Sequence, residues 1–417
     1  DFGTLRDYRL RVVKTMVGGL AGLLAHRGIT VFRANAAFHA DETAPATSNH
    51  IVHLVPSPDQ SDILTYHKAD VPEPSGPTMD LTATNIVIAT GAKPRPLPGN
   101  PFAGALIDST QALEVNEFPS SAVIIGAGAI ALEFASMWNA AGSKVTLLIR
   151  KDRVLSAWDR RAGTTLTREL KRHGVNIITR ASVTHVDTGA NLGATVHYTC
   201  EGQDGEQSVW GEIALVAIGR DPITDPAWGV TIDDHGHVAT DAYGRTDKPG
   251  VWAVGDVTAG HALAHRAFEQ GIVIAETIAG LNPKPVDEAT VPQIVFSFPE
   301  AASVGLTVEQ AQAREDLIEI KETNYPMLAN ARMLMSGTAG SLTIVSGCDA
   351  ANPDTPRVLG VHMVSQMASD IIAEAEQLVG NHVPLADAAR LVHPHPTFSE
   401  TLGEALLKAD GRPLHTR

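Results

Sequence analysis

The stretch that most restricts how this chain can fold is residues 123–150, VIIGAGAIALEFASMWNAAGSKVTLLIR. Val123, Ile124 and Ile125 read as a short apolar strand, followed by a helical stretch and then a second strand over residues 144–149. At the first junction stands Gly126-Ala127-Gly128-Ala129-Ile130-Ala131. In that strand–helix–strand order, Gly126 allows a tight turn, Gly128 lets a pyrophosphate approach the backbone, and small Ala131 lets the helix pack on the sheet. The helix then opens with free N–H groups, which favour phosphate. A purely structural glycine turn could carry the same letters. Because both flanking strands are in place, the stretch is read as a dinucleotide-binding fingerprint.

The end of the second strand, where an acid normally accepts the ribose 2′-hydroxyl, holds Ile149, followed by Arg150, Lys151 and Arg153. An acid there would repel a 2′-phosphate, whereas arginine binds one bidentately, so the spacing tilts the nucleotide toward NADP or mixed use. The plainer alternative is an exposed basic turn after a strand.

A second pattern points to two such domains. Residues 85–94 and 212–222 are both apolar strands that end in Ala-x-Gly-x-x-Pro, with glycine at Gly91 and Gly219. Nucleotides bind at the carboxyl ends of strands in open α/β sheets, so the echo implies related domains in tandem. Gly126 precedes Gly219 by 93 residues, and the same step back from Gly91 falls ahead of Asp1. The glycine loop of the first copy is therefore expected ahead of residue 1. Val17-Gly18-Gly19-Leu20 does not replace it, because it lies inside a helical pattern carried by Leu10, Val13, Val17, Leu20 and Leu24.

At 417 residues the chain has room for about two to four domains. A formal net charge of −15 argues against nucleic acid or an anionic membrane as a general partner, and no apolar run has the length of a membrane span. The two cysteines, Cys200 and Cys348, stand far apart and in no C-x-x-C pair. Such sparse cysteine suits a reducing cytoplasm and provides no disulfide scaffold. No metal-ligating set is assigned.

Residues 29–81 suggest a meander of short strands, and residues 250–257 form a strand that ends in Gly255-Asp256. Asp256 is placed either to accept hydrogen bonds from sugar or ribitol hydroxyls or to cap the helix that follows. Beyond residue 291 the pattern turns to an antiparallel sheet with helices on one side, a polar hairpin loop over residues 349–357, a helix over 368–379 and a tail over 397–407. Near the end, His393-Pro-His395-Pro-Thr-Phe-Ser-Glu400 places a carboxylate where it can turn back toward an imidazole. A carboxylate on one ring nitrogen fixes the tautomer and raises the basicity of the other. Taken bare, the same letters also describe a capped helix start beside a solvated histidine.

Assembled in order, these pieces resemble the flavin-dependent disulfide reductase family, and within it the members that oxidise protein-bound dihydrolipoamide. IVIATGAKPRPLPG looks like the family's FAD-domain strand end, VWAVGDV with ALAH like its second FAD motif, and VPQIVFSFPEAASVGLT with RVLGVHMV like its interface domain. HPHPTFSE followed by LGEALLKADGRPLH is similar to the active-site tail. The resemblance implies an α/β fold. It has two tandem dinucleotide-binding domains with parallel sheets, one for FAD and one for NAD(P), followed by an α+β interface domain. The expected boundaries are 1–95 for the remainder of the FAD domain, 96–222 for the NAD(P) domain, 223–288 for a central segment completing the FAD site, and 289–417 for the interface domain. It implies FAD contacts at Thr90, Gly91, Ala92, Asp256, Ala262, Leu263, Ala264 and His265. It implies NAD contacts at Gly126, Ala127, Gly128, Ala129, Ile130, Ala131, Leu132, Glu133, Ile149, Arg150, Val183 and Gly219. His395 corresponds to the general base, oriented by Glu400 and serving the partner's site in a homodimer. The implied protein partner is the lipoyl domain of a 2-oxo acid dehydrogenase complex, in the cytoplasm.

Two departures from the family pattern stand out. Its first glycine loop and its redox pair, two cysteines four residues apart, are expected ahead of Asp1, so the polypeptide as written lacks the group that exchanges with the substrate. Ile149-Arg150 looks more like the NADPH-using members, which keeps open an NADPH-dependent reductase of small disulfides. A truncated, non-catalytic nucleotide-binding dimer is the remaining alternative.

Overall fold

In the computed structural model, which describes residues 2–39, 50–58, 63–66, 78–189 and 193–416, the chain divides into two units. One is Asp1–Lys93 with Asp221–Val286, the other Pro94–Arg220 with Asp287–Arg417.

In the first unit the expected helix runs over Phe2–His26, and Gly28 follows it in the left-handed region at φ 67°. Gly18 and Gly19 lie inside this helix. None of its residues is buried, and Leu10, Val13, Val17 and Leu20 are each more than half exposed. Asn35–Phe38, His50–Val55 and Met79–Ala83 form an antiparallel sheet in that order. Val31–Arg33 pairs antiparallel with Leu64–Tyr66, and residues 40–49, 59–62 and 67–77 of the expected meander lie outside the described residues. Ile86–Ile88 pairs in parallel with Val251–Ala253, Ile88 opposite Ala253, so the two strands end at a common edge. Ile88, Val251, Ala253 and Val257 share a core with Trp228 and Val230. Past that edge come a short turn of 3-10 helix, Gly255–Val257, and the helix Ala264–Ile278, whose N-cap is Leu263. Asp256 is thus not the cap of that helix, which removes the second of its two readings.

The second unit begins with a parallel sheet of five strands in the order Asn176–Ile178, Lys144–Leu148, Ser121–Ile125, Ile213–Val216, Leu106–Ile107. Both faces are covered, which is why the strand of Val123, Ile124 and Ile125 reads as a continuous apolar run. On one face Ile124 and Leu147 pack with Leu132 and Trp138 of the helix Ala129–Ala140 and with Leu166 and Leu170 of the helix Arg160–Arg172. On the other, Val123, Ile125 and Leu148 meet Val196 and Tyr198 of a three-stranded antiparallel sheet, Ala181–Asp187, Ala194–Cys200 and Gln207–Gly211.

The C-terminal part of this unit is a five-stranded antiparallel sheet in the order Gln293–Val295, Glu300–Gly305, Asn352–Ser365, Ser341–Asp349, Leu317–Pro326. Its own helices, Ala368–Gly380 and Glu400–Ala409, cover one face through Ala302, Val304, Leu342, Ile344 and Met363. The alternate residues Val295, Ala301 and Val364 point the other way and complete the core of the parallel sheet. A charged clamp reinforces that junction: Arg172 donates to buried Glu169 at 2.7 Å and to the Gly337 carbonyl at 2.8 Å, and Ala339 N–H donates to the same carboxylate.

The hairpin expected over residues 349–357 is shorter. The strands run up to Asp349 and from Asn352, which face each other, and only Ala350 and Ala351 turn. Arg357 grips Asp349 with two bonds of 3.0 and 2.7 Å and holds that carboxyl below its ordinary range. Pro353 and Pro356 are accommodated beside register shifts in the ladder. No helix among the described residues is long and apolar enough to cross a membrane.

Candidate active site

Glu400 is the first residue of the helix Glu400–Ala409, and the turn before it folds His395 back onto its carboxylate. His395 Nδ1–H donates to Glu400 Oε2 at 2.9 Å. The other oxygen, Oε1, accepts from Asn330 Nδ2 at 2.9 Å, and that amide also donates to the Thr397 carbonyl. Asn330 is buried and its own oxygen caps the helix Ala331–Ser336 by accepting from Met333 N–H. The carboxylate is therefore fixed at both oxygens and its side chain is 16% exposed, while the imidazole it orients is 79% exposed. This geometry dedicates Nδ1 to orientation and leaves Nε2 for a reactant.

The neighbouring histidine of the same motif has a different job. His393 Nε2–H donates to Glu374 Oε1 at 2.9 Å, and this bond is the main reason its pKa is raised. The ring lies against Gly403, where a methyl group would collide with it. Tyr325 stands in the same cleft of about 610 Å³ with His393, His395 and Glu400. Burial pushes its phenol up to about 12, with Glu404 and Glu400 adding to the shift. Leu391, Val392 and Leu414 around this mouth are exposed apolar side chains.

The fingerprint loop has the shape a dinucleotide requires. Gly126 adopts φ 143°, and a Cβ there would run into the Ala217 carbonyl oxygen. Nothing lies within 4 Å of a Cβ placed on Gly128, which is the extended N-cap of the helix Ala129–Ala140 and provides no side-chain cap. The first N–H groups of that helix are thus left for an anion over an open glycine. Ala131 and Leu132 are fully buried, as close packing of helix on sheet demands, and Ala127, Ala129 and Ile130 lie partly exposed along the loop. Glu133 Oε1 accepts from Phe296 N–H at 3.1 Å, and burial raises its pKa despite that bond.

The other expected nucleotide contacts separate by environment. Gly219 is exposed at the end of its strand at φ 132°, and Val183 is half-buried on Ala181–Asp187. Ile149 is 1% exposed and its side chain belongs to the core, whereas Arg150 beside it is exposed. Ile149 therefore offers a nucleotide no side chain, its N–H and carbonyl being bonded to Ile178 and Ala181, and Arg150 is the side chain that reaches solvent at that strand end.

In the first unit, the parallel strands ending at Ile88 and Ala253 bring Thr90, Gly91 and Ala92 to the same carboxyl edge as Asp256. Val254 N–H donates to the Ile88 carbonyl, Gly91 turns at φ 71° with open space around it, and Asp256 is half-buried. Ala262, Leu263, Ala264 and His265 run into the helix Ala264–Ile278, which starts without a side-chain cap. An open glycine, an acid and the start of a helix without a side-chain cap fit the ribitol and phosphate parts of a flavin nucleotide.

Neither Asn330 nor Glu374 is legible as a site residue in the sequence. Asn330 stands 70 residues from Glu400 and Glu374 stands 19 from His393. No short-range pattern connects them, and only the pairing of sheet and helix brings them together.

Residues 4–271 match the family model described as pyridine nucleotide-disulphide oxidoreductase, and residues 291–406 match the dimerisation domain of that family. A dihydrolipoyl dehydrogenase of Geobacillus stearothermophilus is 31% identical, the match covering 100% of this chain and 82% of that protein. One of Cupriavidus necator is 38% identical over 80% of this chain and 70% of its own length. In three dimensions the chain is similar to the crystal structure of LpdA from Mycobacterium tuberculosis, with a TM-score of 0.82, 24% identity, and coverage of 98% of this chain and 83% of that one.

Proposed function

Because this chain belongs to the pyridine nucleotide-disulphide oxidoreductase family, we propose that its reaction is that of the dihydrolipoyl dehydrogenases, oxidation of protein-bound dihydrolipoamide with NAD+. The observation that carries the reading is the relay from Asn330 through Glu400 to His395. His395 Nε2 takes the proton from a substrate thiol, because the thiolate is the form that attacks a disulfide. Glu400 holds the imidazole in the tautomer with Nδ1 protonated and stabilises the imidazolium that results.

FAD, when bound, carries the electron pair from sulfur toward the nicotinamide. Thr90, Gly91, Ala92, Asp256 and the start of the helix Ala264–Ile278 are the residues of this chain that would hold it. The loop Gly126 to Ala131, with Leu132 and Glu133, would hold NAD. Cys200 and Cys348 are both buried and belong to different sheets, so neither serves as the exchanging sulfur.

We read the assembly as a homodimer. The match of residues 291–406 to a dimerisation domain supports this, as do the exposed apolar side chains Leu328, Leu334, Met335 and Val392 on the same part of the chain. The partner bringing the substrate would be the lipoyl domain of a 2-oxo acid dehydrogenase complex, as the names of the relatives suggest.

Exposed Arg150 favours one competing reading, an NADPH-dependent reduction of small disulfides. A comparison of four rates decides between them in the protein translated from its complete reading frame. Dihydrolipoamide is paired with NAD+ and NADP+, and small disulfides with NADH and NADPH. The dehydrogenase reading expects dihydrolipoamide with NAD+ to be fastest. Faster turnover of a small disulfide with NADPH would replace it.

A further inference from the structure

The outer face of the three-stranded sheet gathers a second set of chemically active side chains, remote in sequence from the histidine motif. His185 on Ala181–Asp187 and His197 on Ala194–Cys200 are direct partners in the antiparallel ladder. A register shift between Val183 and His185 turns both Thr184 and His185 to solvent, and the restored alternation then puts Asp187 on the same face. The two imidazoles stack with centroids 4.1 Å apart and planes 7° apart.

Carboxylates stand at both edges of this pair. Asp187 Oδ2 lies 3.1 Å from His197 Nε2 and 3.9 Å from His185 Nε2. On the opposite edge, Glu206 lies 3.7 Å from His197 Nδ1 and 3.8 Å from His185 Nδ1, and Thr184 Oγ1 holds it with a 2.7 Å bond. One ligand atom each from His185, Asp187 and His197 fall within 4.8 Å of one another.

We propose that His185, His197 and Asp187 form a binding site for a divalent transition ion of the zinc type, with the Glu206 carboxylate adding negative charge beside both imidazoles. Ligand atoms around tetrahedral zinc stand about 3.4 Å apart, so the set has to close by about 1 Å and the rings to tilt out of their parallel stack. Rotation of side chains at the edge of solvent supplies both movements. Two imidazoles and one carboxylate suit zinc, nickel or copper, whereas magnesium and calcium prefer oxygen donors alone. The outer support of His185 is a relay: its Nδ1 lies 3.3 Å from Thr184 Oγ1, which in turn donates to Glu206. Cross-linking neighbouring strands, the ion would stabilise the sheet that carries Val183 without touching the loop at Gly126.

Calorimetric titration of the whole protein with zinc chloride tests this against the double variant His185→Ala/His197→Ala. The parent should bind one more zinc per chain than the double variant, and zinc should raise the melting temperature of the parent alone. Glu206→Gln should keep the stoichiometry and weaken the binding about 10–100-fold. Magnesium should produce no heat at this site. Zinc held elsewhere on the protein is common to parent and variant and cancels in the difference. Circular dichroism and the melting temperature without metal show that the variants are folded. Equal zinc stoichiometry and affinity in parent and double variant would overturn the proposal. Dihydrolipoamide oxidation in metal-free buffer should be unchanged by the double variant, so failure here leaves the proposed reaction standing, and the reverse.

Discussion

The immediate consequence of the active-site geometry lies with Asn330, whose single amide group ties the carboxylate of Glu400 to the Thr397 carbonyl. Asn330→Ala removes both bonds and the cap on Met333, a loss of about 1–2 kcal/mol in stability. It should also lower kcat while leaving the KM for NAD+ unchanged, because the nucleotide loop is built elsewhere. Glu400→Gln keeps the shape of the side chain but not its charge, and should lower kcat by more than Asn330→Ala does. The histidine pair in this motif also predicts a pH dependence. Glu374 raises the pKa of His393 from its ordinary 6.5, so protonated His393 stabilises the folded chain. That contribution is complete below 6.5 and disappears as the pH rises through the raised value. Melting temperatures of the parent and Glu374→Gln should therefore differ most just below pH 6.5 and converge as the pH rises through the raised pKa of His393. A constant difference would contradict the role given to this pair.

Elements built on local chemistry were legible in the sequence, and elements defined by distant partners were not. The loop at Gly126 could be read because each residue type answers a constraint within a single strand–helix junction. Gly126→Ala tests it: the methyl would meet the Ala217 carbonyl, and both thermal stability and NAD+ affinity should fall, whereas Gly128→Ala meets open space in the folded chain and should lower affinity with less effect on stability. The strands Glu300–Gly305 and Leu317–Pro326 have weak strand patterns in the letters, for opposite reasons. The first is a central strand made largely of small residues, EAASVG, and the second is an edge strand whose polar residues face water. Residues 349–357 look like a loop because Asn352-Pro-Asp-Thr-Pro356 is a run of polar and proline residues. The grip of Arg357 on Asp349 and the ladder across the sheet hold most of them as strand. The clamp between Glu169 and Arg172 is another feature without a sequence signal. Arg172→Met strands a buried carboxylate whose remaining cation, Arg168, is 3.8 Å away and itself exposed. It should lower stability by about 1–3 kcal/mol in chemical denaturation.

At the level of the whole molecule, the α/β class, the tandem strand ends and the histidine tail were all present in the letters, because each is a short motif in a fixed order. What the letters lacked were the groups that hold the tail in its working shape, Asn330 and Glu374, which reach it through tertiary folding. The parallel sheet carries the nucleotide loop, and the antiparallel sheet packed against it carries the histidine relay, with both in one unit. The most direct test compares NADH formation from dihydrolipoamide and NAD+ by the parent protein and by His395→Ala, each translated from its complete reading frame and loaded with FAD. The parent should form NADH, and the variant should do so about 10²–10⁴-fold more slowly with its flavin absorbance intact. An equal rate in both would show that His395 is not the base.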